Sequence, residues 1–115
     1  MIKRNTDMEK EVRERMREGT GRAEVIHVFR KEELTGKARL FARMRLLSGS
    51  SIGYHRHDGE EEIFYIISGT ATVNDEGAVS EVGPGDAVLT GGGASHSIAN
   101  QGSEPLEFLA VILLY

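Results

Sequence analysis

From residue 23 onward the apolar positions come in short runs, several of them alternating with polar residues, and turn-forming residues close most of the runs. Alternation with a period of two is the mark of a strand with one buried face. It predicts strands at AEVIHVF, RLFARMRLL, SIGYHRH, EIFYIIS, TATVN, AVSEV, DAVLT, HSIAN and LEFLAVILLY. Turn chemistry is strongest at NDEG, residues 74 to 77, and GPGD, residues 83 to 86, so the pattern predicts an all-β antiparallel sandwich or small barrel. In RLFARMRLL, Leu40, Ala42, Met44 and Leu46 share one face while Arg43 and Arg45 point from the other. IFYII and LAVILL are apolar on both faces, and a solvated sheet back does not have that composition. The second face is expected to lie under the N-terminal segment or a second copy of the chain, which makes a homodimer the economical expectation.

The first twenty residues follow a different pattern. In TDMEKEVRERMREG, Thr6 and Glu9 have capping-box spacing, Gly19 is a natural stop, and Met8, Val12 and Met16 form one narrow apolar stripe. This predicts a short N-terminal helical segment over 1–20, covering a barrel end or a neighbouring subunit, ahead of a barrel over 21–115.

Composition narrows the chemistry. At 115 residues the chain is sized for one domain. With 14 Lys and Arg against 18 Asp and Glu, the net charge of -4 argues against nucleic-acid or anionic-membrane partners and leaves small molecules as ligands. The absence of cysteine leaves His and carboxylate as the strong side-chain metal ligands. No apolar run has membrane-span length and the first residues lack a signal peptide's apolar stretch, so a cytoplasmic location is expected.

The candidate chemistry sits in GSSIGYHRHDGEEEIFYIISG, residues 49 to 69. His55 and His57, two apart on a strand, leave the same face with Cβ atoms roughly 6 to 7 Å apart, close enough to share an ion. Alone, such a pair is more often two polar residues on a wet face. Glu62, however, opens the apolar IFYII run, and an ionised carboxylate drawn into a core costs several kcal/mol unless a cation accompanies it. Glu60 and Glu61 are expected in a solvated loop. His96, after TGGGAS, enters the same cavity if its strand lies beside the first, giving three imidazoles and one carboxylate around a divalent ion. His27 is expected to be packed or at the surface.

These residues resemble the two motifs of the cupin superfamily. Gly49, His55, His57, Glu62 and Gly69 match the first motif at each step, and counting six back from Gly69 selects Glu62 over Glu61. Gly85, Gly93, His96 and Asn100 match the second, in which Gly91 stands where the family has proline, a change expected to loosen that loop. The 15 residues between Gly69 and Gly85 resemble the shortest inter-motif linkers of the family, those of single-domain microbial cupins. The resemblance implies a small jelly-roll barrel, or double-stranded β-helix. It further implies one divalent transition metal ion per chain (Mn, Fe, Ni, Co, Cu or Zn) held by His55, His57, Glu62 and His96, and commonly a dimer.

Strand parity places Met44, Leu46, Phe64, Ile66, Val88 and Ile98 around the ion, an apolar pocket without an inward acid, base or cation. Chemistry is then expected to centre on the metal, as decarboxylation or dioxygenation of a small carboxylate or dicarbonyl compound. The other class is a non-catalytic cupin that binds a small molecule or effector. A sugar-phosphate isomerase is disfavoured for want of a basic cluster. Oxalate decarboxylases with two cupin domains carry an arginine three residues before the first ligand histidine. Ile52 occupies that place here, which points to a less polar substrate.

Overall fold

The nine expected strands all form. In a computed structural model covering residues 1–115 they are β2 (Arg22–His27), β3 (Ala38–Leu46), β4 (Ser51–Arg56), β5 (Glu60–Ser68), β6 (Ala71–Asp75), β7 (Ala78–Val82), β8 (Ala87–Gly91), β9 (Ser95–Ala99) and β10 (Leu106–Leu114). A tenth strand, β1 (Glu9–Glu14), precedes them. They build two antiparallel sheets, one ordered β1-β2-β3-β10-β5-β8 and one ordered β4-β9-β6-β7, which together make a jelly-roll. Inward residues of both sheets meet in one core that includes Val25, Met44, Leu46, Phe64, Ile66, Val73, Ile98 and Phe108. The alternation therefore reports real burial: along β10 each of Leu106, Phe108, Ala110 and Ile112 is buried and the residues between them are not.

The expected N-terminal helix does not form. Residues 5–7 and 16–18 are single 3-10 turns, and the stretch between them is β1, paired along its whole length with β2 from Glu9↔His27 to Glu14↔Arg22. Helix propensity in a charge-rich segment is worth tenths of a kcal/mol per residue, and an isolated turn is costly to nucleate. The open edge of β2 offers a ladder of backbone hydrogen bonds instead, and covering that edge satisfies both strands. The 1–20 segment is thus continuous with the sheet of the barrel and not a separate helical piece. Of the apolar stripe, Val12 is exposed and Met16 packs on the core.

The outer face of the large sheet remains apolar. Register places Phe41, Val111, Ile63 and Leu89 in one row across four strands, with Leu109 and Tyr65 in the next. Tyr65, Ile67 and Leu89 are exposed. Because β1 extends the sheet edge, it leaves this face uncovered. No helix is long and apolar enough to cross a membrane.

Candidate metal centre

His55, on β4, stands directly opposite His96 on β9 in the small sheet. A register shift between Ile52 and His55 lets two residues three apart both face inward, which plain alternation forbids. His57 follows the end of β4, where its N–H donates to the carbonyl of Ala94 at 3.0 Å and its carbonyl accepts from Gly93 N–H at 2.9 Å. Gly92 and Gly93, at φ +65° and +90°, supply the left-handed backbone that this tight return needs. Glu62 comes from the opposite sheet, on the inward face of β5. Gly91 is no loosened loop: it is the last residue of β8, paired with Glu61, and a Cβ there would collide with the Glu61 side chain.

The structure brings together the four residues singled out from the sequence. One ligand atom from each of His55, His57, Glu62 and His96 lies within 4.8 Å of every other. Glu62 Oε1 is 3.1 Å from His57 Nε2, 3.0 Å from His96 Nε2 and 4.0 Å from His55 Nε2, and the His57 and His96 Nε2 atoms are 3.1 Å apart. Donors about 2.1 Å from one ion stand about 3.0 Å apart at neighbouring octahedral positions and about 4.2 Å apart at opposite ones. The three spacings from Glu62 Oε1 and the one between His57 and His96 fall in that range.

Hydrogen bonds behind the rings set which nitrogen faces the centre. His55 Nδ1 donates to the Gly53 carbonyl at 2.6 Å and His57 Nδ1 to Glu60 at 2.5 Å, so each Nε2 turns a lone pair inward. His96 Nδ1 is buried without a partner, and its ring is held by stacking on Phe64, centroids 4.8 Å apart and planes 11° from parallel. Lone pairs and a carboxylate converging in a buried space repel unless positive charge sits among them. Without an ion the His57 ring supplies that charge itself, protonated on both nitrogens, with Nε2–H donating to Glu62 in place of the lone pair. Burial pushes the Glu62 carboxyl up, but its hydrogen bonds with His57 and His96 outweigh that and hold it below the ordinary range. The hydrogen bond with Glu62 raises His57 despite burial, whereas burial lowers His55. The donor set fits a divalent cation, which would supply Lewis acidity and free coordination positions.

Glu60 is not a solvated loop residue. Arg39 clamps it with two bonds of 2.8 and 2.7 Å, and that guanidinium chiefly holds its carboxyl at about 2. Arg39, Glu60 and His57 form a chain that orients one candidate ligand.

A cavity of about 470 Å³ opens from three of the four candidate donors, His55, His57 and Glu62. Of the residues expected around it, Met44 and Phe64 line it. Leu46, Ile66 and Ile98 belong to the packed core instead, and Val88 packs against that core beside a separate depression. Strand parity identifies inward residues but not how far along the barrel each sits. Met16, Leu40, Ile52, Ala110 and Ile112 complete the apolar wall. Ile112 is the inward residue of β10 opposite Glu62.

The cavity is also charged, contrary to the expectation of a mostly apolar pocket without an inward cation or spare carboxylate. Arg13, Arg15, Arg17 and Arg39 line it against Glu14 and Glu62. His27 lines it too and bonds Glu11 at 2.9 Å, and Arg13 bonds the same carboxylate. Its inward position was legible in AEVIH, where it shares parity with Ala23 and Val25. Arg13, Arg15 and Arg17 escape the sequence reading because a helix is expected over their segment, and Arg39 because alternation puts it on the face of Arg43 and Arg45, opposite Leu40 and Ala42.

Two of these mouth residues, Arg15 and Arg17, lie on a strap between β1 and β2. Arg15, Arg17 and Glu18 adopt left-handed backbone, at φ 48°, 54° and 63°, which costs about 1 to 2 kcal/mol per residue. The strap rests backbone to backbone on β4, since a Cβ at Gly53 would enter the carbonyl oxygen of Arg17 and one at Gly19 that of Ser51. Ser51 N–H donates to Thr20 at 2.8 Å and Arg15 N–H to Gly21 at 2.9 Å, pinning the strap's far end.

A jelly-roll enclosing three histidines and a glutamate defines a metal-binding β-barrel of the cupin type. The chain belongs to the cupin family: the cupin domain model matches residues 42–112. It is 46% identical over 114 residues to the oxalate-binding protein of Thermotoga maritima, covering 99% of this chain and 94% of that protein. A crystal structure of a predicted oxalate decarboxylase from Thermotoga maritima matches with a TM-score of 0.95 at 46% identity, over 100% of both chains. The polyketide cyclase RemF from Streptomyces resistomycificus shares the fold, with a TM-score of 0.80 at 21% identity over 98% of this chain and 80% of that one.

Proposed function

We propose that the protein holds one divalent transition-metal ion on His55, His57, Glu62 and His96 and binds a small carboxylate of the oxalate class on the ion's remaining positions. The observation that carries this reading is the convergence of four ligand atoms within 4.8 Å at a cavity rich in arginine. The 46% identity to an oxalate-binding protein supports the choice of ligand. Elemental analysis of protein expressed without a chelating tag is expected to find about one such ion per chain. Calorimetric titration with oxalate is then expected to give heat for the loaded protein and none after chelation. Equal binding by the stripped protein would sink the reading.

A second reading is metal-centred turnover of such a ligand by decarboxylation or dioxygenation. It is favoured by the His27 and Glu11 pair, which offers a proton carrier at the same cavity. Carbon dioxide release or oxygen uptake over a panel of small carboxylates and diketones is its test. Two copies are further proposed to pair through the apolar row Phe41, Val111, Ile63 and Leu89, and sedimentation of Leu89→Asp as a monomer, against a wild-type dimer, is the expected result.

A further inference from the structure

Among the cavity arginines, Arg39 is committed to Glu60 and Arg13 to Glu11. Arg15 and Arg17 form no ion pair and no side-chain hydrogen bond with the protein. The backbone holding both is left-handed, and Gly19 and Gly53 permit its close seat on β4. A chain of net charge -4 thus presents two uncommitted guanidinium groups at the cavity that His55, His57 and Glu62 also line. Guanidinium groups pair with carboxylates through two parallel hydrogen bonds, a geometry a neutral ligand cannot match.

We propose that Arg15 and Arg17, on the strap between β1 and β2, are ligand-binding residues that select small multiply charged anions at this cavity. The proposal deepens the reading of the site as a metal-dependent carboxylate binder and rests on it for the choice of ligand. The strap does the work that Ile52, apolar and on the cavity wall, cannot do. Charge selection therefore resides in a segment outside the residues matched by the cupin domain, 42–112.

The test uses the full chain loaded with a divalent metal, comparing wild type with Arg15→Asn/Arg17→Asn. Asparagine tolerates left-handed backbone, so charge is removed while the strap's path is kept. Metal content is expected to be unchanged, because neither arginine is among the four donors. Affinity for oxalate is expected to fall about tenfold or more, and affinity for the neutral oxamide to stay level. Arg22→Gln, at an exposed arginine outside the cavity, is expected to leave both unchanged.

Azide separates the two ideas, since it reads anion access to the metal whatever the natural ligand is. If the wild type binds azide but not oxalate, and the double variant binds azide about threefold more weakly, the ligand assignment falls and the strap stands. Unchanged affinity for every anion that binds the wild type overturns the strap, as does equal weakening of oxalate and oxamide. A metal-loaded wild type that binds neither anion overturns both.

Discussion

His57 donates its Nδ1–H to Glu60, and Arg39 clamps the same carboxylate, so the aim of one candidate ligand depends on two residues outside the donor set. Such partners fix both the ring's tautomer and its orientation, and losing one typically weakens metal affinity about 10- to 100-fold. Glu60→Gln is therefore expected to lower affinity by that order in a competition with a chelator, while His57→Ala or His96→Ala abolishes stoichiometric metal. Circular dichroism of all three should retain the β spectrum, because the core cluster contains none of these residues. Wild-type affinity in Glu60→Gln would show that packing alone aims the ring.

Two elements carry measurable consequences. The strap's contact with β4 leaves no room for a Cβ at Gly53, whereas a Cβ at Gly36 meets nothing. Gly53→Ala is expected to cost about 1 to 3 kcal/mol in urea unfolding through forced backbone movement. Gly36→Ala should be near neutral, within about 0.5 kcal/mol. At the other end, Lys3 pairs with Glu33 at 2.5 Å and ties the N-terminus to the 3-10 turn Lys31–Glu33. That bond, with the backbone hydrogen bond at Arg30, holds the Glu33 carboxyl at about 2, below its ordinary 4.5. A depressed folded value contributes stability that is present above pH 4.5 and is lost as pH falls toward about 2. Glu33→Gln is expected to reduce the loss of stability between those limits, read as a smaller shift in urea midpoint with pH. An unchanged pH slope would assign acid lability to other carboxylates.

Across the whole molecule the donor cluster joins the two sheets, with Glu62 from the large one and His55 and His96 from the small one. An ion held there binds the folded chain and not the unfolded one. At a hundredfold excess over Kd such an ion adds about 2.7 kcal/mol. For a domain of this size that corresponds to a rise in Tm of roughly 10 °C. Calorimetric scans with and without a chelator should differ by about that much, and His96→Ala should show no difference. A chelator effect that persists in His96→Ala would place the bound ion elsewhere.

Nine strands and four donors were legible in the sequence because both depend on short-range regularity. Period-two alternation reports which face of a strand is buried, and the match of the spacing from Gly49 through Glu62 to Gly69 to the cupin motif marks the candidate donors although they come from opposite sheets. The tenth strand was not legible, since its own residues favour a helix and only the open edge of β2, closed by pairing in space, decides otherwise. From that one long-range event follow Arg13, Arg15 and Arg17 at the cavity and the cover over β4. Depth along the barrel, which separates Met44 and Phe64 in the cavity from Leu46 and Ile66 in the core, is likewise set by how the sheets stack. Local pattern determined which residues turn inward, and tertiary packing decided which of them meet the cavity and what charge surrounds it.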